Sequence, residues 1–161
     1  PGVGAFDYAM SQLKLAGLIP VLNKLALEDK IPILGICLGA QLFTKRSEEG
    51  QCEGLGWFDA ETVRFQFPLN SAMKIPHMGW NNIRLNKPSK LLFDIHPDSR
   101  AYFVHSYHLK CDNPEDKLLS CEYGYEFVCG IERGNLLGLQ FHPEKSHSLG
   151  MKLLRNFARN Y

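Results

Sequence analysis

The sequence predicts an α/β fold: a three-layer domain with a mostly parallel central sheet and helices on both faces. Three observations carry that expectation. "IPILGI", Ile31 to Ile36, is a short continuous apolar run, the pattern of a strand buried on both faces. It passes through a tight turn into the helical stretch "LGAQLFTKR", which makes a strand–turn–helix unit. The closing stretch "SLGMKLLRNFARNY" spaces Met151, Leu154 and Phe157 as one apolar helix face.

The elements follow in order. "PGVG", Pro1 to Gly4, reads as a glycine-rich turn of the kind that follows a strand. With no initiator Met before it, the chain reads as the remainder of a longer protein whose N-terminal strands are missing. "FDYAMSQLKLAG" spaces Phe6, Met10 and Leu13 at helical intervals and stops at Gly17, a residue suited to ending a helix. "LIPVLNKLALEDK" reads as a second helix, with Pro20 tolerated in its first turn. The second half is strand-rich. "ETVRFQF" alternates, "WNNIRL" can pair, and "AYFVHSYHL" is a strong β-branched and aromatic run. "EFVCGIERGNLLGLQF" reads as two strands joined by a turn at Arg133-Gly134-Asn135. The polar, Pro-containing connection from Asn86 to Arg100 reads as the most flexible piece. No repeat or low-complexity linker divides the chain, so residues 1–161 read as one domain.

Bulk properties exclude several function classes. Hydrophobic content of 45% and charged content of 22% are those of an ordinary globular chain of 161 residues. A net charge of +1, with both signs dispersed, argues against a nucleic-acid footprint and against a polybasic membrane face. No run approaches the roughly 18 apolar residues that span a bilayer, and no signal peptide precedes the first helix. Five cysteines without a C-x-x-C pair argue against a disulfide framework or zinc ribbon and fit a reducing cytoplasm. His105 and His108, three apart on one predicted strand, should face opposite ways and share no metal ion.

The chemistry concentrates at Gly35-Ile36-Cys37-Leu38-Gly39. A sharp strand-to-helix turn holds a nucleophile in strained backbone geometry, and flanking glycines avoid a clash there. The N-terminus of the following helix would favour the thiolate and lower the thiol pKa, and the Leu38 N–H would face a developing oxyanion. Alone, the motif is equally compatible with a buried structural cysteine. "QFHPEKS" offers a base: His142 precedes a proline and should be extended, so Glu144 projects to the same side and orients the imidazole. The same residues also read as the N-terminal cap of the last helix, but capping alone leaves the histidine unexplained. Cys37, His142 and Glu144 therefore read as nucleophile, base and orienting acid.

Together "GICLGAQ", "SEEG", "PHMGWN", "FVHSY" and "GLQFHPEKS" resemble the class I (triad) glutamine amidotransferases along the whole chain. Within them they are similar to the glutaminase subunits of imidazole glycerol phosphate synthases. The resemblance implies the flavodoxin-like fold of that family and glutamine hydrolysis through a cysteinyl thioester, with no cofactor and no metal. The ammonia would pass to a synthase subunit with a (βα)8 barrel in a cytoplasmic heterodimer. By matching motif, Gln41 and Glu49 would hold the α-amino and α-carboxylate end of L-glutamine. Ser106 and Tyr107 would line the same pocket through their backbones. Val3 and Gly4 would belong to the loop that supplies a second oxyanion donor beside Leu38. Trp80, Asn81 and Lys145 match positions that face the synthase. Without the resemblance, Gln41 and Glu49 read as solvated positions, Trp80 equally as core, and His77 as either structural or interfacial.

The chain departs from the family pattern in places. A segment resembling "DYG.GN" is absent, and Ala40 stands where methionine is usual. "GLGW" and "EKSHSLGMKLLRNF" resemble at least as much the paralogues found with bacterial surface-polysaccharide genes, which feed ammonia to a sugar-amidating partner. Three readings compete: a glutaminase for imidazole glycerol phosphate formation, the same glutaminase for sugar amidation, and a non-catalytic partner-binding domain. A cysteine peptidase or γ-glutamyl hydrolase is more distant, because Gln41 and "SEEG" suit free glutamine.

Overall fold

The computed structural model describes residues 1–161. The first helix, α1 (Phe6–Leu15), buries Phe6 and Met10 and ends before Gly17, whose φ of 65° lies in the left-handed region open to glycine. The second, α2 (Leu18–Asn23), continues into a wide helical turn over Lys24–Glu28. Strand β1 (Ile33–Ile36) then leads into α3 (Leu38–Gln41). This helix is much shorter than its sequence suggests. The Thr44 hydroxyl donates to the Gln41 carbonyl at 2.8 Å, and the Thr44 N–H takes the same carbonyl at 3.0 Å. Such local bonds compete with helix propagation, and Lys45 N–H already pairs with Ala60.

Seven strands follow: β2 (Ala60–Arg64), β3 (His77–Leu85), β4 (Arg100–His105), β5 (Tyr107–Cys111), β6 (Lys117–Glu122), β7 (Glu126–Arg133) and β8 (Leu136–Leu139). The sheet runs β1-β8-β7-β6-β3-β4, with β5 joining β7 and β2 pairing β5. The helix α4 (His147–Asn160) closes the chain. Of these strands, β6 had no clear signal in the sequence, and "AYFVHSYHL" is two strands broken at Ser106.

The α/β class and three-layer arrangement hold, but strand polarity within this chain differs from a mostly parallel sheet. Only β1 and β8 run parallel, from Ile33↔Leu136 to Ile36↔Leu139. All other named pairs are antiparallel. The cause is connection length: a parallel neighbour needs a long crossover, whereas the two-residue Gly134-Asn135 turn forces β7 and β8 to fold back.

Both faces of the sheet are covered. On β8, Leu137 and Leu139 enter a cluster with Leu149 and Leu153 of α4. Leu136 faces the opposite cluster with Ala26 and Ala40. The buried stripe of α4 is Leu149, Leu153 and Asn156 rather than one led by Met151, which is exposed. Residue 151 lies about 200° around the helix from 149, and the three-to-four-residue spacing selects the other set. The connection from 86 to 100 is anchored, not loose: Leu91, Leu92 and Ile95 join the core, and the Asn156 amide donates to the carbonyls of Leu91 and Phe93.

Candidate active site

Cys37 stands between β1 and α3 with φ 53° and ψ −110°, a conformation costly for a side-chain-bearing residue. The β1–β8 pairing holds it there, since its N–H donates to the Leu139 carbonyl at 2.7 Å. Gly35 is required by this turn: a Cβ there would lie 2.7 Å from the backbone of Gly39 and Ala40. Gly39 has no such need within this chain, as its nearest neighbour would be Pro1 N at 4.0 Å.

The thiol itself is buried, and burial pushes its pKa up rather than down. The Leu38 N–H pulls the other way, but α3 has only four residues and its end is too weak to offset desolvation. A resting thiol therefore needs a base to become a nucleophile. The charges of Glu144 and Lys145 are felt at this sulfur, and the Gln140 amide donates to it at 3.8 Å.

His142 has the expected extended backbone, φ −96° and ψ 95°. Its Nδ1 lies 2.6 Å from Glu144 Oε1. Its Nε2 is buried and is the one buried side-chain nitrogen or oxygen in the chain without a hydrogen-bond partner. With the carboxylate holding the proton on Nδ1, Nε2 is the basic nitrogen. The surrounding 143–145 segment is a single helical turn, and Ser146 Oγ donates to the His142 carbonyl at 2.7 Å while accepting the Tyr102 N–H at 3.0 Å.

The residues expected to form an oxyanion site are arranged differently from a ready hole. Gly2 bridges in parallel with Cys37, and its carbonyl accepts the Leu38 N–H at 3.3 Å. Val3 is 80% exposed and Gly4 has φ 123°. Gln41 is buried, not solvated, and its Nε2 donates to the Tyr107 carbonyl at 3.3 Å and to Gln140 Oε1 at 3.1 Å. Glu49 is exposed, and its Oε2 accepts the Phe6 N–H at 2.8 Å, capping α1. In return Asp7 accepts the N–H groups of Gln51 and Cys52, and a Cβ on Gly50 would strike that carboxylate. The "SEEG" loop and the segment after "PGVG" are thus clamped together. Ser106 and Tyr107 sit at the β4–β5 break, with the Ser106 carbonyl taken by Phe65 N–H.

Trp80 is half-buried, stacked on His147 at 4.9 Å between ring centroids and edge-on to Tyr102 at 5.9 Å. The exposed Lys145 lies over the Tyr102 ring at 5.9 Å. Asn81 points to the other face of β3, with its amide 2.9 Å from His77 Nε2. His77 is a buried, hydrogen-bonded histidine. The break at Ser106 also overturns the opposite-face expectation for His105 and His108: both rings pack on Phe65, at 5.2 and 4.7 Å.

A family model for class-I glutamine amidotransferases matches residues 1–161. The chain belongs to that family. It is 48% identical over 159 residues to the imidazole glycerol phosphate synthase subunit HisH 2 of Methanococcus maripaludis, covering 99% of this chain and 78% of that protein. It is 47% identical to the subunit of the same name from Pseudomonas aeruginosa, over 98% of this chain and 77% of that one. Among solved structures, a glutamine amidotransferase from Thermotoga maritima superposes with a TM-score of 0.63 at 20% identity, covering 99% of this chain and 60% of that one. A GMP synthase protein from Thermoplasma acidophilum gives 0.61 at 22% identity, over 88% of this chain and 63% of that one. These two show the fold. The family match spans both the Cys37 elbow and the 142–144 turn. Gln140 and Tyr102, which touch these parts, escaped the sequence reading; the only sign of Gln140 was its place two residues before His142.

Proposed function

We propose that the chain hydrolyses L-glutamine at Cys37 and passes the ammonia to a synthase subunit. His142 Nε2 takes the Cys37 proton, and the thiolate attacks the γ-amide carbon. The same proton then goes to the leaving nitrogen, so ammonia departs and a γ-glutamyl thioester remains. Water, deprotonated by His142, releases glutamate and restores the thiol. Glu144 stabilises the imidazolium in both halves. The observation that carries this reading is the orphan Nε2 of His142. A buried nitrogen without a partner costs about 1–3 kcal/mol, which a purely structural histidine would avoid by turning to a partner.

Gln41 and Glu49 take the amino-acid end of glutamine, with Ser106 and Tyr107 beside them. The names of the relatives point to imidazole glycerol phosphate formation, the step that places the chain in histidine biosynthesis; the (βα)8-barrel fold of the partner rests on the motif resemblance alone. Trp80 and Lys145, on one aromatic patch with Tyr102, suit that partner's surface; Asn81 points to the opposite face of β3, toward His77, and lies outside this patch. No helix is long and apolar enough to cross a membrane, and all five cysteines are free, in keeping with a cytoplasmic setting.

The Gly2 carbonyl on the Leu38 N–H keeps that donor from an oxyanion. A turn of the Gly2–Val3 peptide would exchange a carbonyl for an N–H there, and Gly2 and Gly4 permit it. One such donor is worth about 3–4 kcal/mol, or roughly 10²–10³ in rate. Partner docking would set that peptide by population shift. Steady-state glutamate production with and without the ligand-bound synthase is the test, with a rise of at least about tenfold expected. High activity without any partner would instead mark an independent hydrolase.

A further inference from the structure

A row of hydrogen bonds through the buried rings of His77 and His105 joins Asn81 of β3 to Tyr107 of the glutamine pocket. Asn81 Nδ2 lies 2.9 Å from His77 Nε2, and His77 Nδ1 lies 3.0 Å from His105 Nε2. His105 Nδ1 lies 2.7 Å from the Tyr107 carbonyl oxygen. The protons in this row have one arrangement. A carbonyl only accepts, so His105 carries its proton on Nδ1 and accepts on Nε2. His77 must then donate from Nδ1, and its Nε2 accepts from the Asn81 amide. Both rings are neutral, because burial lowers His77 to about 4 and His105 to about 3.

The row ends on a carbonyl that Gln41 shares. Gln41 Nε2 donates to Tyr107 O and to Gln140 Oε1, so both of its hydrogens are used within the protein. Gln140 in turn donates to the Cys37 sulfur. The polar atom of Gln41 left over is Oε1, an acceptor with no partner inside the protein and not among the fully buried atoms. An amide pinned by both hydrogens can present only that oxygen, which suits an ammonium group.

We propose that His105, backed by His77, is a positioning residue for glutamine binding: it fixes the Tyr107 carbonyl, and through it turns Gln41 Oε1 toward the α-ammonium group of the substrate. This rests on the glutaminase reading and goes beyond it, since neither histidine touches the reacting atoms. Loss of His105 frees one lone pair of the Tyr107 carbonyl and leaves His77 Nδ1–H without an acceptor, so the Gln41 amide can rotate. The effect belongs to ground-state binding and should appear in KM, not in the chemical step.

The test compares His105→Leu, which removes the donor, with His105→Asn, whose amide places a donor near the position of Nδ1. It uses the full-length protein with its synthase partner. His105→Leu should raise KM for glutamine about tenfold while kcat stays within about twofold, and His105→Asn should recover most of the loss. Nitrogen-15 NMR of the wild-type imidazoles gives a readout free of any variant. Both His77 and His105 should show the Nδ1–H tautomer, unchanged between about pH 6 and pH 8. The other tautomer on either ring overturns the proposal, as does an unchanged KM or a selective fall in kcat in His105→Leu. A wild type that makes no glutamate with its partner present would overturn the glutaminase reading itself, and this inference with it.

Discussion

His142 Nδ1 sits 2.6 Å from Glu144 Oε1 while its opposite nitrogen is buried and unpartnered. The two halves of this relationship are unequal. The imidazole side chain is 4% exposed and the carboxylate 48% exposed, so water can replace the carboxylate but nothing can replace the ring.

That inequality predicts the order of mutational losses. His142→Asn removes the proposed proton carrier and should cost about 10²–10⁴-fold in glutamate release. Glu144→Ala leaves the imidazole in place with water able to take the carboxylate's position at Nδ1, and its loss should be smaller by at least about tenfold. Equal losses from the two, measured in one steady-state assay with the synthase present, would show that the roles are misassigned.

Cysteine reactivity follows from burial. Burial pushes Cys111 and Cys121 up to about 12 and Cys129 well above its ordinary range, which disfavours the thiolate at all three. Cys37 is also raised at rest, but it alone stands at the elbow beside the 142–144 turn. A glutamine-mimicking diazoketone should therefore label Cys37, located by peptide mass spectrometry, and spare the other four. A plain alkylating agent should reach the half-exposed Cys52 first. Diazoketone spread evenly over all five cysteines would sink the assignment.

The neutral buried histidines predict acid lability. His77 and His105 titrate near 4 and 3 in the folded chain, against 6.5 when exposed, chiefly because burial disfavours the charged ring. Below 6.5 the unfolded chain binds the protons that the folded chain refuses, so stability falls as pH drops and is flat above that value. By pH 5 each ring should have cost about 2 kcal/mol. Urea midpoints at neutral pH and near pH 5 measure it, and His105→Phe should flatten part of the slope. A stability independent of pH over this range would contradict the buried neutral pair.

What the sequence determined by itself was local. The apolar run ending at Ile36, the glycine at 35 and the helix start at Leu38 dictate a sharp turn at Cys37, because backbone sterics act between near neighbours. Pro143 likewise dictates the extended His142, and with it the reach to Glu144. The Gly134-Asn135 turn announced the β7–β8 hairpin. Tertiary structure decided the rest. Gln41 finds its partners 66 and 99 residues away, at Tyr107 and Gln140, so no window of sequence could show that its amide is locked. The His77–His105 pair exists only because β3 and β4 place those residues opposite each other in antiparallel register. The Leu38 N–H is occupied only because Gly2 lies alongside Cys37. Short-range sterics set which residue is strained and which is extended. The pairing of strands sets which buried polar groups meet, and that pairing is a property of the whole sheet.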